Sequence, residues 1–215
     1  MNRSTLRRSA LPAALFTIAL FATGCGGSDK PSDTTSMPSH DVSSMPTPMA
    51  SSSTTGTPAT GNHSDADVTF ATGMIPHHAQ AVVMADMAKS NATNAQVKKL
   101  AATIKAAQTP EITTMSGWLT GWGKPVPTSS SHSGMSMGDG MMTDAEMNQL
   151  DATTGVSFDR MWLQMMVKHH EGAIAMATTE LRTGTNAEAR QLAQSIITSQ
   201  KAEIARMQKL ENSLS

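Results

Sequence analysis

The sequence predicts an all-α protein, a four-helix bundle built from a duplicated helical hairpin. Three observations predict it. Displacing the chain by 92 residues aligns two segments without a gap, with 16 of 42 positions identical between 74–115 and 166–207. Apolar residues in both segments recur at the three- and four-residue spacing of a helix face. No strand pattern competes with them.

The elements follow in chain order. Residues 1–25 read as a lipoprotein signal peptide: Arg3, Arg7 and Arg8 precede an apolar stretch from Ala10 to Ala22, too short to span a bilayer comfortably. "ATGC" then ends on Cys25, the expected lipidation site. Residues 26–64 are rich in Ser, Thr, Pro and Met and are expected to form a disordered tether. Such a tether would reach on the order of 35 Å. The bundle itself occupies 65–215. Its first hairpin (65–119) has helices predicted over 66–90 and 94–119, and a Met/Gly/Ser-rich linker fills 120–142. The second hairpin (143–215) has a short helix over 144–152 and long ones over 157–183 and 186–212. Thr93-Asn94-Ala95-Gln96 and Thr185-Asn186-Ala187-Glu188 read as capping boxes with threonine as N-cap, and Thr143 with Glu146 as a third. Pro76 and Pro110 fall inside the first hairpin's helices and predict kinks there.

Composition excludes several functions. Cys25 is the only cysteine, so neither an internal disulfide nor a thiolate metal site is available. Without residues 1–25 the chain keeps 13 basic (16 less three arginines) and 17 acidic side chains, a formal charge of −4. That balance and the absence of tyrosine argue against nucleic acid as a partner. No Ser-His-Asp arrangement, phosphate loop or HExxH supports hydrolysis, and an enzyme is not the expectation.

The helical faces carry the chemistry. Phe70, Met74, His77, Ala81, Met84, Ala85 and Ala88 share one stripe, copied as Trp162, Met166, His169, His170, Ala173, Met176 and Ala177. The second helices carry Gln108 and Glu111, and Gln200 and Glu203, on apolar faces. Counted outward from the turns, these residues meet at one level of the bundle. The layer collects Met74, His77, His78, Glu111, Met166, His169, His170 and Glu203. It can be a satisfied hydrogen-bond network or a metal site. Four imidazoles, two carboxylates and thioethers exceed what packing needs, because burying each polar group costs free energy. Di-iron bundles supply more carboxylates than histidines, the reverse of this set. Thioether donors favour copper as Cu(I). Met84, Met87, Met161 and Met176 are read as core. His132, Met135, Met137, Met141 and Met142 of the linker are read as weak, exposed ligands for a soft ion.

"MIPHHAQAVVMA" and "MVKHHEGAIAMA", followed by "QTPEITTM" and "QKAEIARM", resemble the domain of unknown function 305 family over about 65–212. The resemblance implies a ferritin-like four-helix bundle, usually exported, with a link to copper. The family's pattern matches at Met74, His77, His78, Gln108 and Glu111 and at Met166, His169, His170, Gln200 and Glu203; Gln108 and Gln200 are expected to support the ligands rather than bind the ion. Ala79-Gln80 departs from the Gln-Gly that often follows the histidine pair, and Glu171-Gly172 half keeps it. The expected function is a copper-binding protein for metal sequestration or tolerance, tethered to a bacterial membrane on its extracytoplasmic side. The alternatives are a His/Glu-ligated oxidoreductase acting on Cu(I) or Fe(II), and a metal-free helical interaction module.

Overall fold

Each long helix but one starts where a short polar side chain accepts from the free N–H groups of the first turn. In a computed structural model, which describes residues 62–128 and 140–214, Ser64 caps α1 (Asp65–Asn91) and Asp67 completes its capping box. Asn94 caps α2 (Ala95–Gly121) by accepting from the N–H groups of Gln96 and Val97. Thr143 and Glu146 form the expected capping box of α3 (Asp144–Asp151). The remaining long helices are α4 (Gly155–Thr183), without a side-chain cap, and α5 (Ala187–Asn212), capped by Asn186. Among the described residues every element is helical, and α1 and α2 run continuously through Pro76 and Pro110. Cys25, His132, Met135 and Met137 lie outside the described residues.

The hairpin turns correct the sequence reading. Thr93 and Thr185 are not the N-caps; the asparagines that follow them are. The threonines serve a different bond. Thr93 donates its N–H and hydroxyl to Asp159 at 3.2 and 2.8 Å, and Asn94 adds its N–H at 2.9 Å. Thr185 and Asn186 present the same three donors to Asp67 at 3.0–3.2 Å. Asp67 and Asp159 are buried and stand 92 residues apart, so each hairpin clasps the turn of the other in the same way.

α1 packs on α2 and on α4, α4 packs on α5, and α2 touches α5 lightly. Trp162 donates its indole N–H to the Met84 carbonyl at 2.9 Å, which pins the α1–α4 seam. The core divides into two apolar clusters. One holds Met84, Val97, Leu100, Ile104, Trp162 and Met166 at the first hairpin's closed end. The other holds Phe70, Met74, Met115, Leu119, Ala189 and Ile196 at the second's.

The linker differs from expectation at its end. Met142 is not an exposed ligand: its side chain is buried in the first cluster. Gln80 grips its backbone, donating to the Met142 carbonyl and accepting its N–H, both at 2.8 Å. Just before it, Gly140 (φ 89°) lies so close to the Lys168 carbonyl and Gly172 that a Cβ would come within 2.7 Å of that oxygen. Gln80 and Gly172 are themselves 92 apart, and both follow a histidine pair by two residues. The positions flagged as departures at the sequence level therefore hold this strap against α1 and α4.

Candidate metal centre

Between the two clusters lies a level of the bundle that apolar side chains do not fill. α1 brings His77 and His78 to it, and α4 brings His169 and His170; all four are fully buried. α2 and α5 bring Gln108 with Glu111 and Gln200 with Glu203. His78 Nε2 stands 2.7 Å from Glu111 Oε2, and His170 Nε2 stands 2.8 Å from Glu203 Oε2. Both glutamates keep part of their side chains in solvent, 21% and 16%. Each therefore bridges a sealed ring and the surface. The other two rings, His77 and His169, touch across the hairpins with centroids 3.7 Å apart and planes tilted by 39°.

Protonation follows from burial. Desolvation, then the charges that His77, His170 and His78 would carry, hold His169 well below the ordinary histidine pKa of 6.5. Its ring is neutral at pH 7, the form that binds metal. A neutral His78 or His170 that donates Nε2–H to its glutamate leaves Nδ1 with a bare lone pair. In both residues Nδ1 is buried and makes no hydrogen bond. Such a group forfeits about 1–3 kcal/mol, whereas carboxylate, imidazole and metal in sequence is the arrangement by which proteins orient a ligating ring. In such an arrangement Glu111 and Glu203, expected as ligands from the sequence, would instead support the rings, and the histidines would present the donor atoms.

The glutamines do not close the network. Gln108 is buried with neither amide atom bonded, and the Gln200 carbonyl oxygen is likewise without a donor. Neither makes a hydrogen bond to the histidines or glutamates. Met74 and Met166 are fully buried and belong to opposite clusters, and each precedes the first histidine of its pair by three residues. The predicted residues are brought together as two His–Glu pairs and one His–His contact. Among the described residues no three His, Cys, Asp or Glu side chains stand as a ready-made ligand set. The donors fit a soft or borderline ion: neutral imidazole and thioether suit copper, and no thiolate favours zinc.

Sequence reasoning missed three buried polar residues. Asp67 and Asp159 carried a signal, being identical 92 apart. Glu180 sits on the α4 stripe, where its counterpart is Ala88, and is 1% exposed.

The profile of the domain of unknown function DUF305 matches residues 67–211. A DUF305 protein of Streptomyces coelicolor assigned as secreted is similar in structure, with 34% identity, a TM-score of 0.64, and coverage of 69% of this chain and 93% of that one. A DUF305 fragment from Deinococcus radiodurans gives 29% identity and a TM-score of 0.63, covering 71% and 99%. CopM in its Cu(II)-bound form gives 33% identity and a TM-score of 0.61, covering 69% and 97%. CopM has also been solved in Cu(I)-bound, Ag-bound and apo forms. No curated protein is significantly similar in sequence.

Proposed function

The chain belongs to the DUF305 family, and from that premise we propose that it is a copper-binding protein of the extracytoplasmic space. It is held at a membrane through Cys25 and sequesters metal for tolerance. The observation that carries this reading is the pair of buried Nδ1 atoms on His78 and His170 that make no hydrogen bond, each ring held through Nε2 by a glutamate. The copper and silver forms of the similar protein CopM support the choice of ion. The soft thioethers of Met74 and Met166 favour Cu(I) within that choice. His77 and His169 come from different hairpins, so an ion held between them would tie the two halves together.

Uptake requires a local rearrangement, because the donors stand in pairs and not in a closed set. The partly exposed glutamates give the layer its contact with water, through which an ion can approach. The linker residues His132, Met135, Met137 and Met141 would capture ions loosely before transfer. His77→Ala combined with His169→Ala should abolish the tightest Cu(I) site in a chelator competition while helicity persists. Unchanged affinity would refute the core site. Oxygen uptake by the loaded protein would favour the oxidoreductase instead.

A further inference from the structure

A crevice of about 440 Å³ opens on the outer α1–α4 seam, walled by Phe70, Gly73, Ala175 and Met176, with Glu180 among its lining residues. The duplication explains why it exists. Shifted by 92 residues, Phe70, Gly73, Met176 and Thr183 become Trp162, Met165, Met84 and Asn91. That equivalent ground is covered. α3 lies against α1 and α4 there, Leu150 is buried in the same apolar cluster as Trp162 and Met84, and Asn91 donates to the Asp151 carbonyl at 2.9 Å. One half of the seam has a helix on it, and its twofold counterpart is open.

The open half also differs in chemistry. Glu180 stands where the covered half has Ala88. Its side chain is 1% exposed, and neither oxygen meets an N–H or O–H donor of the protein. The charged groups that face it are Asp67 of α1 and Arg190 of α5. Arg190 spends its guanidinium on the carbonyls of Leu181 and Gly184 at 2.6 and 3.1 Å. Asp67 stays ionised, held far below the usual carboxylate range, and accepts the proton of the Glu180 carboxyl besides donors from Ser64, Thr185 and Asn186. Gly184 leaves room for the acid, since a Cβ there would run into the Glu180 carboxyl.

We propose that this crevice binds a small organic ammonium ion, its apolar body against Phe70 and Met176 and its charged head on the Glu180 carboxylate. The volume falls within the range of small-molecule sites. An apolar wall with an acid at its base and no cation committed to it is complementary to that class of ligand and to few others. Burial, then Asp67, raises Glu180 to about 8, so the carboxyl enters the reaction protonated at neutral pH. The ammonium replaces that proton, and one proton leaves for each cation bound. Affinity should rise by up to about tenfold per pH unit toward pH 8 and level off above it. The ligand stays charged throughout, with a pKa of about 10.4 by analogy with lysine.

The test is calorimetric titration of the full mature chain with n-hexylammonium chloride and, separately, hexan-1-ol, in two buffers of different ionisation enthalpy. The expected result is saturable binding of the ammonium with release of about one proton at pH 7, and no saturable binding of the alcohol. Glu180→Gln, which keeps shape and can donate to Asp67, should weaken the ammonium at least tenfold, as should the crevice-filling Ala175→Leu. Ammonium binding unchanged in Glu180→Gln would overturn the proposal, as would equal binding of the alcohol or no saturable binding of either.

Discussion

Asp159→Ala tests the reciprocal clasp. The carboxylate accepts three hydrogen bonds, from the Thr93 N–H, the Thr93 hydroxyl and the Asn94 N–H. Hydrogen bonds to a charged acceptor are worth about 1.5–3 kcal/mol each. The three share one carboxylate, and Thr93 is itself exposed, so water can satisfy part of what is lost. The expected cost is therefore about 2–4 kcal/mol, not the full sum. For a fold of this size that lowers Tm by roughly 5–15 °C. The assay is urea unfolding followed by helical circular dichroism. Asp159→Asn, which keeps an acceptor oxygen but not the charge, should fall between wild type and alanine. α1 and α4 run antiparallel, and α1 alone is 27 residues long, so the two clasps lie roughly 40 Å apart. Asp67→Ala should then add to Asp159→Ala within about 0.5 kcal/mol. A loss below about 1 kcal/mol for Asp159→Ala, or strong non-additivity, would refute the reasoning.

Four further outcomes are expected. Glu111→Gln with Glu203→Gln keeps the bonds to the rings but removes their charge, and should weaken Cu(I) binding by about 10–100-fold per site in a competition assay. Stability should fall as pH rises from 4.5 toward 8, because Glu180 ionises near 4.5 when unfolded but only at about 8 in the fold. Its contribution is complete below 4.5 and lost through 8, and Glu180→Gln should flatten that part of the Tm–pH curve. Leucine at 135, 137 and 141 should lower total Cu(I) uptake and leave Tm unchanged, whereas Met142→Ala, in the core, should cost about 2–5 kcal/mol by urea unfolding. Cys25→Ser should move the protein from the membrane to the soluble fraction, and unchanged fractionation would exclude the anchor.

The helices and the stripe that buries them were legible because duplication states the pattern twice and period alone decides which face turns inward. The meeting of His78 with Glu111 and of His170 with Glu203 followed from counting outward from each turn. The caps were not legible. Thr93 and Asn94 are both competent N-caps, and the choice between them falls to Asp159, 66 residues away from Thr93. Met142 was misread for a similar reason. Linker composition describes solubility, but the strap's course is set by a side-chain amide on α1 and a glycine gap on α4. Glu180 was legible in principle, since it falls on the same stripe as Ala173 and Ala177.

Both His–Glu pairs form within a hairpin, whereas each apolar cluster draws on both hairpins. Cleaving the chain between 128 and 140 would therefore yield two fragments that each keep a finished polar pair but expose half of two cores. They would associate as a heterodimer about a pseudo-twofold, with His77 against His169 as the ring contact between them. An ion bridging those rings would act as a dimeriser, tightening fragment assembly in proportion to its affinity. The duplicated chain is in this sense a dimer whose dissociation the linker has abolished, and a split version would report metal as association.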